Sequence, residues 1–219
     1  MERIPEPELM DEAAQARAYA SADFSEPHQA FVDGFREHFP CHRPRRALDL
    51  GCGAADITIR FARAHADCDL TGVDGAVAML ALASEAVARA GLTQRISLIE
   101  ARLPESALPR RTFDTVISNS LLHHLADPQV LWNACAEYAA SGAAVWVADL
   151  RRPDSRERAE RLVREYAGAE PEILQRDFFN SLHAAYRLEE IAAQLARAGL
   201  ARFQVQAVGD RHVIVYGHF

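Results

Sequence analysis

Hydrophobic and polar residues follow a regular alternation along the middle of the chain. Short apolar runs of strand length recur from residue 47 onward, and longer stretches with helical spacing separate them. The predicted strands are 47–50, 69–74, 95–101, 112–119 and 143–150, and the predicted helices between them lie near 54–65, 76–90 and 127–139. Strands that alternate with helices in this way favour a parallel sheet covered by helices on both faces.

The residues before this alternation predict helices near 11–19 and 27–38, which would form an N-terminal helical cap over 1–40. Phe31, Phe35 and Phe39 recur every fourth residue on one face of the second helix. Such a stripe is typical of a helix that packs on a core.

The residues after position 150 begin with a helical segment that carries no strand pattern. Helices near 154–166 and 172–179 predict a cap insertion at about 151–185, followed by a helix at 188–198. Two β-like runs, 201–208 and 212–219, meet at a tight-turn signal and predict an antiparallel ending. The expected fold is therefore α/β, a doubly wound and mostly parallel seven-stranded sheet with an antiparallel C-terminal strand, in one domain over 41–219.

Charge and composition argue against several classes of protein. The 219 residues carry a formal net charge of -7, which argues against a general nucleic-acid binder. The apolar runs are too short to span a bilayer, and the acidic N-terminus has no secretory h-region, so a cytoplasmic protein is expected. The four cysteines lack the spacing of a zinc site, and no metal site is expected. The sequence leaves a monomer and a homodimer open.

The stretch LDLGCGAAD, residues 48–56, carries the first chemical signal. Glycines directly after a buried strand let the backbone approach a ligand closely. Asp74 closes the second predicted strand, where an acid can accept hydrogen bonds from ribose hydroxyls. The pair predicts a site for a ribose-bearing ligand, although Gly51 to Asp56 lack the third glycine of a dinucleotide motif.

Three segments together resemble a known family. LDLGCGAAD, GVDGAVAML and FDTVISNSLLHHLADP, in this order over residues 45–150, resemble the signature segments of class I S-adenosylmethionine-dependent methyltransferases. The resemblance implies S-adenosyl-L-methionine as the cofactor. The implied cofactor-binding residues are Asp49, Gly51, Cys52 and Gly53 at the methionine, Asp74 at the ribose, Gly75, Ala76 and Met79 around the adenine, and Ser118 and Asn119 near the methyl group.

The chain departs from the family pattern in two places. Ala55 stands where the family often has a third glycine. The third strand usually ends in a Gly-Asp pair whose acid contacts the adenine, whereas this chain has Ala101-Arg102. Arg102 cannot accept a hydrogen bond from the adenine amine. Stacking by Arg102, backbone contacts from Ala101 and Leu103, and a contact from Glu100 all stay open.

The candidate catalytic residues are His123, His124 and Tyr19. A histidine suits proton removal near neutral pH, if the acceptor must lose a proton. Adjacent positions on a helix or turn face different ways, so at most one histidine is expected to face the substrate, and His124 is preferred. Packing roles for the histidines and for Tyr19 remain alternatives.

These features predict methyl transfer to a small-molecule acceptor. Alternatives are an RNA or protein methyltransferase of the same fold, a non-catalytic S-adenosylmethionine-binding protein, and a nicotinamide-dependent oxidoreductase. Arg151 and Arg152 follow the fifth strand, where either could pair with a substrate carboxylate or lie at the surface.

Overall fold

A seven-stranded sheet forms the centre of the computed structural model, which describes residues 1–6, 16, 19, 23–104 and 108–219. The strand order is β3-β2-β1-β4-β5-β7-β6. The strands are β1 (Arg46–Leu50), β2 (Asp69–Asp74), β3 (Ile96–Glu100), β4 (Phe113–Asn119), β5 (Ala139–Leu150), β6 (Gln204–Val208) and β7 (His212–His218). The first five pair in parallel, and β7 runs antiparallel to both β5 and β6. The predicted fold class is confirmed.

Helices connect the strands and cover both faces of the sheet. They are α1 (Ser25–His38), α2 (Asp56–Ala64), α3 (Val77–Arg89), α4 (Gln129–Tyr138), α5 (Arg156–Tyr166), α6 (Glu172–Ala184) and α7 (Leu188–Arg197), with a 3-10 turn at Leu122–His124. The helix α6 continues to Ala184, beyond its predicted end near 179, and β5 begins at Ala139, earlier than predicted. The helix predicted near 11–19 lies outside the described residues, apart from Ala16 and Tyr19.

Two apolar clusters fill the space between the sheet and its helices. One cluster is built around Trp132 and Tyr138 of α4, which are both fully buried. The other contains Phe31 and Phe35 of α1, so the predicted packing role of the phenylalanine stripe is confirmed. Gly34 allows α1 to approach the sheet closely, because a Cβ there would lie 2.9 Å from the Trp146 ring.

The strand order places a topological switch between β1 and β4. Strands β2 and β3 lie on one side of β1, and β4 and β5 lie on the other. Ligands of open α/β sheets bind in the crevice outside the carboxyl ends of strands at such a point. The turn after β1, the end of β2 and the end of β4 all meet there.

Residues 1–6 form an N-terminal strap that crosses the carboxyl edge of the sheet. Arg3 donates hydrogen bonds to the backbone oxygens of Ala184 (2.6 Å), His123 (3.1 Å) and Leu125 (3.2 Å). Its guanidinium also lies 4.1 Å from the centroid of the Tyr186 ring. The strap therefore joins the end of α6 to the 3-10 turn after β4. No helix in the described ranges is long and apolar enough to cross a membrane.

Candidate active site

The turn after β1 uses left-handed backbone at three positions. The φ angles are +74° at Gly51, +52° at Gly53 and +65° at Ala55. The amide groups of Gly51 and Cys52 both donate to the Val73 oxygen, at 2.8 and 3.0 Å, which fixes the turn against β2. Left-handed conformation costs an L-residue with a Cβ roughly 1–2 kcal/mol. Ala55 is therefore strained where the family's glycine would be relaxed.

Asp74 clamps this turn from the end of β2. Its Oδ2 accepts the Gly53 N–H at 2.8 Å, and its Oδ1 accepts the Ala76 N–H at 2.8 Å. These two hydrogen bonds fix the orientation of the carboxylate at the turn. Asp74 thus places an oriented carboxylate at the end of β2, where a ribose site is expected.

Asp49 lies beneath the same turn with 2% of its surface exposed. Its Oδ2 accepts a hydrogen bond from the Thr58 hydroxyl at 2.6 Å. Burial raises the pKa of Asp49 to about 7, and the Thr58 hydrogen bond opposes that rise while the nearby Asp74 charge adds to it. A buried carboxylate of this kind favours a cationic partner, such as an ammonium group.

Cys52 and Met79 pack beside the glycines. A Cβ on Gly72 of β2 would lie 2.9 Å from Cys52 Sγ, so this inner glycine makes room for the turn. Burial raises the pKa of Cys52 well above its usual range, which keeps the thiol protonated. The Met79 methyl group lies 3.2 Å from the Cβ position of Gly53.

Tyr19 packs near the turn, in a small apolar cluster with Ala76 and Met79. Burial raises the pKa of Tyr19 to about 12, which disfavours the phenolate. Tyr19 is therefore on the predicted adenine side of the site. Its catalytic role stays a prediction, and its contacts are those of a packing residue.

The segment after β3 reaches the site through backbone contacts. Ala101 donates its backbone N–H to the backbone oxygen of Asp74 at 3.0 Å. Gly75 follows Asp74 directly in the sequence. Arg102 is exposed, and Leu103 is half-buried against the core. The roles of Ala101, Arg102 and Leu103 toward the adenine stay predictions.

Ser118 and Asn119 close β4 at the same edge. The Ser118 hydroxyl is buried and donates to the Leu50 oxygen at 2.8 Å, so it joins β4 to β1. Asn119 is half-buried, and its Nδ2 donates to Ser120 Oγ at 3.1 Å. The Asn119 side chain is therefore more exposed than that of Ser118.

His123 and His124 converge on one carboxylate. His123 Nε2 and His124 Nδ1 each lie 3.4 Å from Glu6 Oε1, and the two ring centroids are 4.2 Å apart. The expectation that adjacent histidines face different ways is wrong here, because the 3-10 turn tilts both rings toward the strap. His123 also places Nδ1 at 2.5 Å from Asp149 Oδ1.

The pKa shifts in this cluster follow from burial and from neighbouring charge. Burial disfavours the His123 imidazolium, but the Asp149 carboxylate and then Glu6 outweigh it and raise the pKa of His123. Burial also raises the pKa of Glu6, against the opposing effect of His123.

Arg152 does not face the crevice as a free cation. Its side chain is 4% exposed, pairs with Glu190 and donates to the Ala185 oxygen at 3.2 Å. Neither suggestion for it, a surface arginine or a partner for a substrate carboxylate, fits this buried pair. Arg151 is half-buried.

The comparisons with known proteins agree with this geometry. A family model described as a methyltransferase domain matches residues 47–142. Residues 47–142 thus match a methyltransferase domain. This methyltransferase domain includes the glycine turn, Asp74 and the ends of β3 and β4, so the resemblance seen in the motifs is confirmed.

Individual relatives extend the likeness beyond the matched domain. The ubiquinone biosynthesis O-methyltransferase of Methylococcus capsulatus is 33% identical over 108 residues, 49% of this chain and 44% of that protein. The 27-O-demethylrifamycin SV methyltransferase of Amycolatopsis mediterranei is 26% identical over 181 residues, 82% of this chain and 62% of that protein. A SAM-dependent methyltransferase from Aquifex aeolicus shares the fold with a TM-score of 0.67 at 18% identity, covering 93% of this chain and 97% of that one. The chain thus spans less than two thirds of both curated relatives.

The residues of the methyltransferase domain fit S-adenosylmethionine. The Asp74 carboxylate is oriented by two backbone N–H groups, and the buried Asp49 carboxyl suits the positive methionine end of the cofactor. A Cβ on Gly51 would lie 3.0 Å from the Leu121 side chain, so a larger residue would crowd the turn. The chemistry of these residues therefore agrees with the expected cofactor.

Several residues near the site were not predicted from the sequence. Asp149 ends a strand at the same edge as Asp74, a position that could have drawn attention to it. Glu6, Arg3 and Thr58 carried no motif, because their contacts join segments that are far apart in sequence.

Proposed function

We propose that this chain transfers a methyl group from S-adenosylmethionine to a small-molecule acceptor. The observation that carries the proposal is the Asp74 carboxylate, held by two backbone N–H groups next to the glycine turn. The names of the relatives, which act in ubiquinone biosynthesis and on a rifamycin, support a small acceptor with a hydroxyl group.

The residues of the chain would bind the cofactor and orient it toward the acceptor. Bound S-adenosylmethionine supplies an electrophilic methyl group on a sulfonium. Asp74 would hold the ribose, Asp49 would face the methionine end, and the turn from Gly51 to Gly53 would let the backbone approach the cofactor closely. Alignment of the two reactants can contribute much of the acceleration of such a transfer.

The cover over the crevice supports an acceptor of limited size. The N-terminal strap and α6 both contact the 3-10 turn after β4, at the carboxyl edge of the sheet. The net charge of -7 disfavours RNA, whose binding relies on neutralising phosphates.

Isothermal titration calorimetry with S-adenosylmethionine and S-adenosylhomocysteine tests the cofactor role. We expect Asp74→Asn to weaken binding of both about 10- to 100-fold, because hydrogen bonds to a charged acceptor contribute about 1.5–3 kcal/mol. Asp69→Asn is the matched control, since Asp69 is exposed at the other end of the same strand. Equal affinity in the two variants would contradict the ribose assignment.

Release of S-adenosylhomocysteine tests the transfer step. Small phenolic and aliphatic hydroxyl compounds, bulk RNA and a protein mixture serve as three acceptor pools. Turnover with the small-molecule pool supports the proposal. Turnover confined to RNA or protein, or cofactor binding with no turnover in any pool, would contradict it.

A further inference from the structure

Three potential metal ligands meet at the carboxyl edge of the sheet. Glu6 Oε1, His123 Nε2 and His124 Nδ1 all lie within 4.8 Å of one another. The carboxylate comes from the N-terminal strap, and the two imidazoles come from the 3-10 turn after β4. Contacts between the strap and the turn, above all the bond from Arg3 to the His123 oxygen, bring them together.

The separations match a metal site better than a hydrogen-bonded group. Glu6 Oε1 lies 3.4 Å from each histidine nitrogen, whereas a charge-assisted N–H···O bond is about 2.7–2.9 Å long. Bonds of about 2.0–2.1 Å to a tetrahedral zinc ion place neighbouring ligand atoms about 3.3 Å apart. Glu6 Oε1 is buried and has no hydrogen-bond partner among the described residues. A metal ion bound between the three groups would give this oxygen a partner.

Asp149 completes the arrangement from behind His123. The carboxylate accepts the Nδ1 hydrogen of His123 at 2.5 Å and the His123 backbone N–H at 3.3 Å. A hydrogen on Nδ1 leaves the Nε2 lone pair directed away from Asp149, toward Glu6. Histidines that bind metals commonly donate their other ring N–H to a carboxylate in this way, which fixes the tautomer and the ring orientation.

Access and ligand type restrict the cation. The side chains of Glu6 and His124 keep 11% and 14% of their surface exposed, while that of His123 keeps 3%. An ion can therefore enter between the strap and the turn. Two imidazoles and one carboxylate suit first-row divalent ions such as Zn²⁺, and three protein ligands leave a fourth position for water or another oxygen ligand.

We propose that Glu6, His123 and His124 bind a divalent first-row cation of the zinc type, with Asp149 orienting His123 as an outer-sphere residue. The proposal departs from the sequence-based expectation of no metal site, because Glu6 is separated from the histidine pair by more than a hundred residues. It stands apart from the methyl-transfer proposal, since its test measures metal binding.

The test is a Zn²⁺ titration of the full chain against a chromophoric chelator, in a Cys41→Ser background. That background is needed because Cys41 is exposed and adjacent to His42, and the two could bind Zn²⁺ adventitiously. We expect one equivalent of Zn²⁺ to bind, and Co²⁺ to give visible absorption bands from a site with fewer than six ligands. Glu6→Gln and His124→Gln should each weaken Zn²⁺ binding at least tenfold.

His218→Gln is the matched control, because His218 pairs with Ala144 near the start of β5, toward the opposite edge of the sheet. Its Zn²⁺ affinity should equal that of the parent. Circular dichroism and urea unfolding confirm that each variant is folded before it is titrated. Absence of stoichiometric binding to the parent, or affinity unchanged in both Glu6→Gln and His124→Gln, would overturn the proposal. S-adenosylmethionine binding, measured on the same samples, separates this outcome from that of the proposed function.

Discussion

Asp49 shows how a single side chain can favour ligand binding over stability. Its carboxyl is buried, and its pKa of about 7 lies well above the ordinary value of 3.8. A raised acid pKa means that the folded protein binds the proton more tightly than the unfolded chain. The stability from this group is therefore greatest below about pH 4 and is lost as the pH rises through 7.

The substitution Asp49→Asn tests this balance. Without ligand, we expect the variant to gain about 2–3 kcal/mol relative to the wild type between pH 5 and pH 8, because asparagine does not ionise. At pH 8 the same variant should bind S-adenosylmethionine more weakly. Urea unfolding at both pH values and calorimetry provide the two measurements. Parallel pH profiles for the two proteins would refute the raised pKa.

Ala55 marks a limit of sequence reasoning at the residue scale. The motif predicts a glycine turn near Ala55 but not the backbone angle at that residue. The structure places Ala55 at a φ of +65° and fully buried. Spacing indicates where a turn lies, but the dihedral angle of each residue depends on the packing around it.

At the scale of elements, the N-terminal strap depends on Arg3. Its guanidinium bonds three backbone oxygens and stacks on Tyr186. We expect Arg3→Ala to lower the free energy of unfolding by about 2–3 kcal/mol, since hydrogen bonds to a charged donor contribute about 1.5–3 kcal/mol and are not additive.

The variant Arg3→Lys distinguishes geometry from charge in that experiment. A lysine keeps the charge but lacks the planar fork that spans several acceptors, so it should restore less than half of the loss. Arg36→Ala serves as the control, because Arg36 is exposed on α1. Full rescue by lysine in urea unfolding would show that charge alone holds the strap.

The regular elements were the easiest part to predict. The bounds predicted for β2 match those of the structure, and Gly91 and Gly199 follow the ends of their helices at φ values of +69° and +73°. The long α6 was cut short, because residues 180–184 carry mixed polarity although most are buried against the strap and the sheet.

At the scale of the molecule, two histidines make the fold sensitive to acid. Burial lowers the pKa of His65 and of His212 to about 4, and the charge of nearby arginines contributes. For a histidine, a lowered pKa means that the unfolded chain takes up the proton first. Stability is therefore complete above about pH 6.5 and is lost as the pH falls toward 4.

The double variant His65→Gln and His212→Gln should flatten this acid dependence. We expect the wild type to lose about 2–4 kcal/mol more than the variant between pH 7 and pH 4.5, after allowance for partial exposure of both rings. Urea unfolding across that range measures it. An identical slope in both proteins would show that these histidines titrate normally.

In the site, as in the fold, some features can be predicted from the sequence and others cannot. The meeting of Asp49, the glycine turn and Asp74 at one edge could be predicted, since strand ends of a parallel sheet share one edge. The pairs Glu6 with His123 and Arg152 with Glu190 could not, because they depend on how loops and the strap cross that edge. Such contacts join positions whose spacing in sequence carries no periodic signal.

β7 pairs with β5 in the sheet but is synthesised well after it. β5 supplies buried Val145 and Val147, yet its outer neighbour β7 begins only at His212, 62 residues after Leu150. At roughly 5–20 residues per second, that interval lasts about 3–12 s. Throughout it, the outer edge of β5 has no partner from its own sheet. The nascent chain must therefore avoid edge-to-edge association through β5 until β7 has been synthesised.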